Sequence, residues 1–310
     1  MLFRRFTDFI LRGRTQAMVT AFVLGFMPVI GLISSLIATL VTLRKGMQEG
    51  ALVFIAAVLP ILLVFSSVPQ AASPSTSISA IDVVIMIATI NALAWISAVV
   101  LGKTSSWSLV LDVLGVLGVV TVIVLHLAYP DMAGWWQQWL TNYFAGVGVA
   151  TGGDAHSLSV VQGMTSEMKY YATGIAGIMF SFYALVDLLI GRWWQDTMFN
   201  PGGLSKELKA IRLSKICAII FLVGIVFAFS HVVMMQDAML VLGMVFALAG
   251  LSLMHYVIAA KHIKWGWVTL IYILLSIVPE SIALFIIAGL LDSVFDFRKK
   301  FNVPGSGLVV

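Results

Sequence analysis

Pro28 and Pro279 sit near the middle of two long apolar stretches, residues 15–43 and 265–296, and the charges around them limit how those stretches can be threaded. Basic residues flank nearly every apolar segment. They are Arg4, Arg5, Arg12 and Arg14, then Arg44 and Lys45, Lys103, the run from Arg192 to Lys215, Lys261 and Lys264, and Arg298 to Lys300. Basic loops of membrane proteins tend to stay on the cytoplasmic side. If residues 15–43 crossed once, the N-terminal arginines and Arg44-Lys45 would lie on opposite faces. A single crossing at 265–296 would separate Lys261 and Lys264 from Arg298–Lys300 in the same way. Both conflicts vanish if each stretch is a hairpin turning at its proline. One long kinked helix at each place is the alternative that proline also permits.

The arms of such hairpins, roughly 13–16 residues each, would measure about 20–24 Å at about 1.5 Å per residue. A hydrocarbon core of about 30 Å is longer, so the arms are short tilted spans or re-entrant segments. Broken segments are where membrane proteins place binding sites, because freed backbone groups need a cavity or protein around them.

The threading question arises because the chain is 61% hydrophobic and only 10% charged over 310 residues. That is more apolar surface than a soluble core requires, and it predicts an all-α polytopic membrane protein. The apolar regions number about eight, each long enough to enter a bilayer. Besides the two proline-centred stretches they lie at 50–68, 80–101, 106–129, 170–191, 214–235 and 238–260. Three parts follow: an amphipathic cytoplasmic segment 1–14, a single transmembrane domain 15–297, and a cytoplasmic tail 298–310. In the first, Leu2, Phe3, Phe6, Phe9 and Ile10 recur at helical spacing among four arginines, as in a helix lying on a membrane surface. No small-residue cleavage site precedes Arg44, so this segment is expected to remain.

The net charge of +4 fits basic flanks facing anionic headgroups. It gives no basic patch with interleaved aromatics, so nucleic acid is not an expected partner. The single cysteine, Cys217, excludes an internal disulfide and argues against a thiolate metal site. His-Glu-x-x-His, Gly-x-Ser-x-Gly and Walker signatures are missing, and the five histidines have no ligand spacing. No enzyme, metal or cofactor is expected.

Two loops have character. Residues 130–169 hold Trp135, Trp136, Trp139, Tyr143 and Phe144, suited to an interface, then the small residues Gly146–Gly153 and the polar pair Asp154 and His156. This reads as an interfacial anchor with a flexible linker, or as an outer lid. Residues 192–213 hold Arg192-Trp193-Trp194, an Asn200–Gly203 turn, and Ser205 placed to cap a short helix carrying Lys206, Lys209 and Arg212. That helix is an anchor or a docking surface.

Polar groups at membrane depth are the remaining candidates. An ionisable side chain there costs about 2.5–3.5 kcal/mol on insertion scales and so faces a cavity or a partner. Two layers emerge. Asn91, His126, His231 and Glu280 lie at the midplane or outward and form the expected ligand-binding set. Asp112, Asp187, His255, Asp292 and Asp296 lie inward, level with Arg192, Lys261 and Arg298. Asp187, Asp292, Asp296 and Arg298 are expected to form structural ion pairs. Ala17, Ala21 and Gly25 make a small-residue stripe on the first arm, which lets another helix approach closely. The partner is internal or a second membrane protein.

The order Ala17-x-x-x-Ala21, Met27-Pro28-Val29-Ile30-Gly31, Leu43-Arg44-Lys45-Gly46 and, at the end, Gly289-Leu290-Leu291-Asp292 to Asp296-Phe297-Arg298-Lys299-Lys300 resembles the YybS-like family of bacterial membrane proteins, over nearly the whole chain. That family is similar to the S components of energy-coupling factor vitamin transporters. The resemblance implies a ligand held on the outer side beneath loops, and an alanine motif, here Ala17 and Ala21, that contacts a membrane coupling subunit. The chain departs from S components in having more apolar segments and the long 130–169 loop. The expected function is therefore a small-molecule-binding or transport-related subunit of a bacterial inner (cytoplasmic) membrane. Both termini would be cytoplasmic, and its partners would be the bilayer and a coupling subunit or a second copy. The alternative is a non-catalytic scaffold that docks partners through its basic loops.

Overall fold

A computed structural model of the chain describes residues 2–27, 31–67, 80–151, 155–229 and 232–301. Among them there is no strand, and the chain is an all-α polytopic membrane bundle. Five helices are long and apolar enough to span a bilayer: α4 (Met47–Ser67), α5 (Ala80–Thr104), α6 (Trp107–Ala128), α9 (Ala172–Phe199) and α12 (Val233–Ala260). In α12, 61% of the span is buried, against 22% to 39% in the other four, so α12 is the central helix around which the others pack. Its Phe246, Leu242 and Val245 join Leu111 and Leu114 of α6 and Leu188 of α9 in the main apolar core. Large apolar side chains such as Ile216, Val226, Leu127 and Met179 lie exposed on the outside, as a lipid-facing surface requires.

The first proline stretch is a hairpin. α2 (Arg14–Gly25) and α3 (Gly31–Lys45) are separate helices; Pro28 itself lies outside the described residues. Ser34 Oγ donates to the Ala21 carbonyl at 2.6 Å, so the arms face each other across the turn. In one continuous helix those residues would stand about 20 Å apart at about 1.5 Å per residue. Arg14 pairs with Glu49 at the start of α4, and Gly25 abuts Ala57 and Pro60 further along it. α2 and α4 therefore run parallel in direct contact, with α3 returning antiparallel against both. α2 draws level with Pro60 of α4 at Gly25, and Phe26 and Met27, the last described residues before the turn, are exposed.

The second stretch turns back too. α13 (Gly266–Ile277) is followed by a 3-10 turn, Pro279–Ser281, and α14 (Ile282–Phe295), with a bend of 120°. Gly250 of α12 and Gly289 of α14 sit at backbone contact; a Cβ on Gly289 would lie 2.2 Å from the Phe246 carbonyl oxygen. Arg298, just past α14, reaches Ser252 and Tyr256 near the end of α12. α12 and α14 thus run in the same direction, and α13 covers the return path between them.

One end of the bundle collects the cations. Arg192 pairs with Glu207, Arg212 with Asp296 at 2.5 Å, Arg298 with Asp292 at 3.0 Å, and the Arg44 guanidinium lies 3.9 Å from the centre of the Phe199 ring. α1 (Leu2–Arg12) is no free surface helix: Ile10 and Thr7 are buried, and Trp194 Nε1 donates to Thr7 Oγ1 at 2.9 Å. The short α10 (Gly203–Lys209) is capped by Asp196, not by Ser205, which lies inside the helix. The Asp196 carboxylate accepts from the backbone N–H groups of Gly202 and Gly203 at 3.0 Å each and of Leu204 at 3.3 Å.

Three expected boundaries move. Residues 130–169 are largely helical, as α7 (Met132–Thr151) and α8 (Ala155–Met168), and Gly152–Asp154 lie outside the described residues. The span expected at 214–235 is the shorter α11 (Lys215–Ala228). α12 begins earlier than its apolar run, so Asp237 sits inside the helix and is 1% exposed, not in a loop. The chain closes with α15 (Phe297–Phe301).

Candidate functional site: a buried acid against the first hairpin

α3 is apolar apart from Ser34, Ser35, Thr39 and Thr42 before its basic end. Ser35 and Thr39 lie four residues apart and share one face. That face meets α9 at Asp187. Ser35 Oγ donates to Asp187 Oδ1 and Thr39 Oγ1 to Oδ2, each at 2.5 Å, so the two hydroxyls match the two carboxylate oxygens. Tyr183, one turn earlier on α9, also reaches Ser35. Ser35, Thr39 and Asp187 are buried, Asp187 at 5% exposure and Thr39 at 0%, and Tyr183 is half-buried. Gly191, one turn after Asp187, is the reason the helices come so close: a Cβ there would lie 2.5 Å from Thr39 Cγ2.

Asp187 lies about 22 Å along α9 from one end and about 18 Å from the other, at about 1.5 Å per residue. It is therefore near the middle of α9, five residues before Arg192 of the cationic end. Among the described residues no lysine or arginine pairs with it. This corrects the expected ion pair. Arg192, the nearest basic residue in sequence, turns instead to Glu207 and Gln195. Two hydroxyl donors solvate an ionised carboxylate, and they can also accept from a protonated one after rotating. The arrangement suits an acid that gains and loses a proton in place.

The remaining expected ion pairs are present. Asp292 and Arg298 are both buried, and Arg298 also donates to the carbonyls of Lys209 and Ile211. Asp296 receives Arg212 and Lys299. Asp112 accepts from the Ser214 N–H at the start of α11, and His255 bonds the Leu251 carbonyl of its own helix.

The expected ligand set is not assembled. Asn91 Nδ2 donates to the Ile87 carbonyl of its own helix, Glu280 is exposed at the α13–α14 turn, and His231 lies outside the described residues. His126 alone gains a built environment. Its Nε2 lies 2.8 Å from Asp237 Oδ2, while Asp237 Oδ1 accepts from the Gly174 N–H at 2.7 Å. Beside this pair Trp136 Nε1 donates to Thr173 Oγ1 at 2.8 Å, and Trp135, Trp136, Trp139 and Tyr143 continue as a ladder of ring contacts along α7. The cluster ties α6, α7, α9 and α12 together at the end opposite the cations.

The Ala17/Ala21/Gly25 stripe is not an open coupling face. Ala17 and Ala21 are buried at 1% and 0% exposure, and α4 fills the space beside Gly25. Of the expected docking cations, Lys206 is exposed while Arg212 is taken by Asp296.

No family model, curated protein or solved structure matches the chain.

Proposed function

We propose that the chain is a transport-related membrane subunit driven by protonation of Asp187. The observation that carries this reading is the acid itself: buried within α9, held by two hydroxyls of the α2–α3 hairpin, and without a cationic partner among the described residues. Such a charge is costly in a bilayer, and a structural role alone would be served by neutral residues. Protonation removes the charge, weakens the hold of Ser35 and Thr39, and frees the α2–α3 hairpin to shift against α9. In transporters, broken helices around a buried polar group form the site that alternates between the two sides.

The small molecule would be held in the outer half, between Asp187 and the α7–α8 segment, with His126 as the retained member of the expected set. The clustered cations favour a cytoplasmic location for that end of the bundle. Both termini would then be cytoplasmic, and the membrane would be a bacterial inner membrane, in line with the YybS-like resemblance. An S-component-like role would need a coupling face other than the alanine stripe, because α4 covers it.

The test uses proteoliposomes with an imposed pH gradient, incubated with a small-molecule extract from a bacterial culture and analysed by mass spectrometry of the lumen. At least one compound should accumulate in a gradient-dependent way with the wild-type chain and not with Asp187→Asn. Accumulation no greater than in empty liposomes, or gradient dependence that survives in Asp187→Asn, overturns the proposal.

A further inference from the structure

The second hairpin carries a different kind of site, argued independently of Asp187. α13 stands away from the bundle: of its residues only Val268 is buried, and Trp267, Leu270 and Ile277 are exposed. Because α13 and α14 diverge, they leave a cleft of about 730 Å³ whose back wall is α12. Leu253 and Val257 come from α12, Ile263 and Trp267 from the start of the hairpin, and Leu284 and Ala288 from α14. Apart from the Trp267 indole, no lining side chain has a hydrogen-bonding group. The volume falls within the roughly 300–1,000 Å³ of small-molecule sites. An apolar cleft open to a bilayer is filled by hydrocarbon, since water gains nothing there.

The mouth of the cleft adds a charge. Ile263 belongs to the turn Lys261–Lys264, in which Lys261, His262 and Lys264 are all exposed and His262 is held at φ 51°. Trp265 follows at 74% exposure. The turn lies at the cationic end of the bundle, where Arg298 meets Tyr256 and Ser252 of the same helix. Tryptophan beside clustered lysines is the composition of a headgroup-level surface, and basic pockets between spans at that level bind acidic headgroups.

We propose that the α12–α13–α14 cleft binds an anionic phospholipid, with one acyl chain between the hairpin arms and the phosphate on the Lys261–Lys264 turn. The lipid completes the packing of α13, which the described side chains leave largely exposed.

The protein, purified in mild detergent and stripped of lipid, is titrated with phosphatidylglycerol and with phosphatidylcholine and weighed by native mass spectrometry. Phosphatidylglycerol should bind more tightly, by about fivefold for each lysine engaged. Lys261→Glu/Lys264→Glu should bring the two lipids to equal affinity. Ala288→Trp, which fills the cleft, should abolish retention of both. Equal binding of the two lipids by the wild-type chain overturns the proposal, as does preference unchanged by the double lysine substitution. Should Ala288→Trp fail to fold, the exposed lysine pair still decides the matter.

Discussion

Ser35 and Asp187 lie 152 positions apart in sequence and share a hydrogen bond of 2.5 Å in the middle of the bundle. The contact joins the second arm of the first hairpin to the middle of the long helix α9. Removing either donor leaves a buried carboxylate under-solvated. Ser35→Ala and Thr39→Ala should each destabilise the chain by about 1.5–3 kcal/mol, the range for hydrogen bonds to charged groups. In an Asp187→Asn background the same changes should cost clearly less, because no charge is left to solvate. Thermal unfolding in detergent of these variants, with wild type and Asp187→Asn, gives one double-mutant cycle for each hydroxyl; equal costs in both backgrounds would place the hydroxyls in packing alone.

The approach of α9 to α3 depends on Gly191. Gly191→Ala places a methyl group against Thr39 and should push its hydroxyl away from Asp187. The expected cost is about 1–3 kcal/mol, typical of overpacking, read as a lowered unfolding midpoint. Gly289→Ala should cost at least as much, since its new Cβ meets backbone and not a side chain that can turn aside.

Arg298 is a buried cation with one carboxylate and two carbonyls around it. Breaking such a pair by removing one partner costs about 3–5 kcal/mol. Arg298→Met should fall in that range, and Asp292→Leu/Arg298→Met should recover part of the loss. Full recovery is not expected, because the Lys209 and Ile211 carbonyls stay without a donor. A denaturant titration of the single and double variants checks this.

Asp296 provides a pH test outside the spans. Burial opposes its ionisation, but Lys299 and Arg212 outweigh burial and hold the carboxyl below its ordinary range. A carboxyl depressed in the folded state stabilises above its unfolded pKa, and that contribution is lost as pH falls through the folded value. Wild type should therefore be more stable than Asp296→Asn near neutral pH, and the two unfolding midpoints should converge under acid. Asparagine is the suitable replacement, since the backbone at 296 has φ 51°, which it tolerates.

Topology was legible from charge. Placing every basic cluster at one end required both proline stretches to turn back, and the Ser34–Ala21 bond and the shared direction of α12 and α14 have that geometry. The acid pairs at Asp292 and Asp296 were legible for the same reason, since cations lie within a few residues. Asp187 was misread because Arg192 sits close in sequence, whereas its partners come from a helix far away along the chain. The spacing of Ser35 and Thr39 on an otherwise apolar helix was the signal that could have found them. Asp237 was missed because hydropathy sets the visible start of a span, and α12 begins before its apolar run; its hydrogen bonds to His126 and Gly174 offset the burial.

The protonation of Asp187 can be observed directly. Infrared difference spectra of the reconstituted chain, recorded on acidification for wild type and for Asp187→Asn, isolate the carboxyl stretch of this one residue. The account predicts a protonated-carboxyl band that grows as pH falls in wild type and is missing from Asp187→Asn. Identical difference spectra for the two proteins would mean that Asp187 keeps one protonation state throughout, and would contradict it.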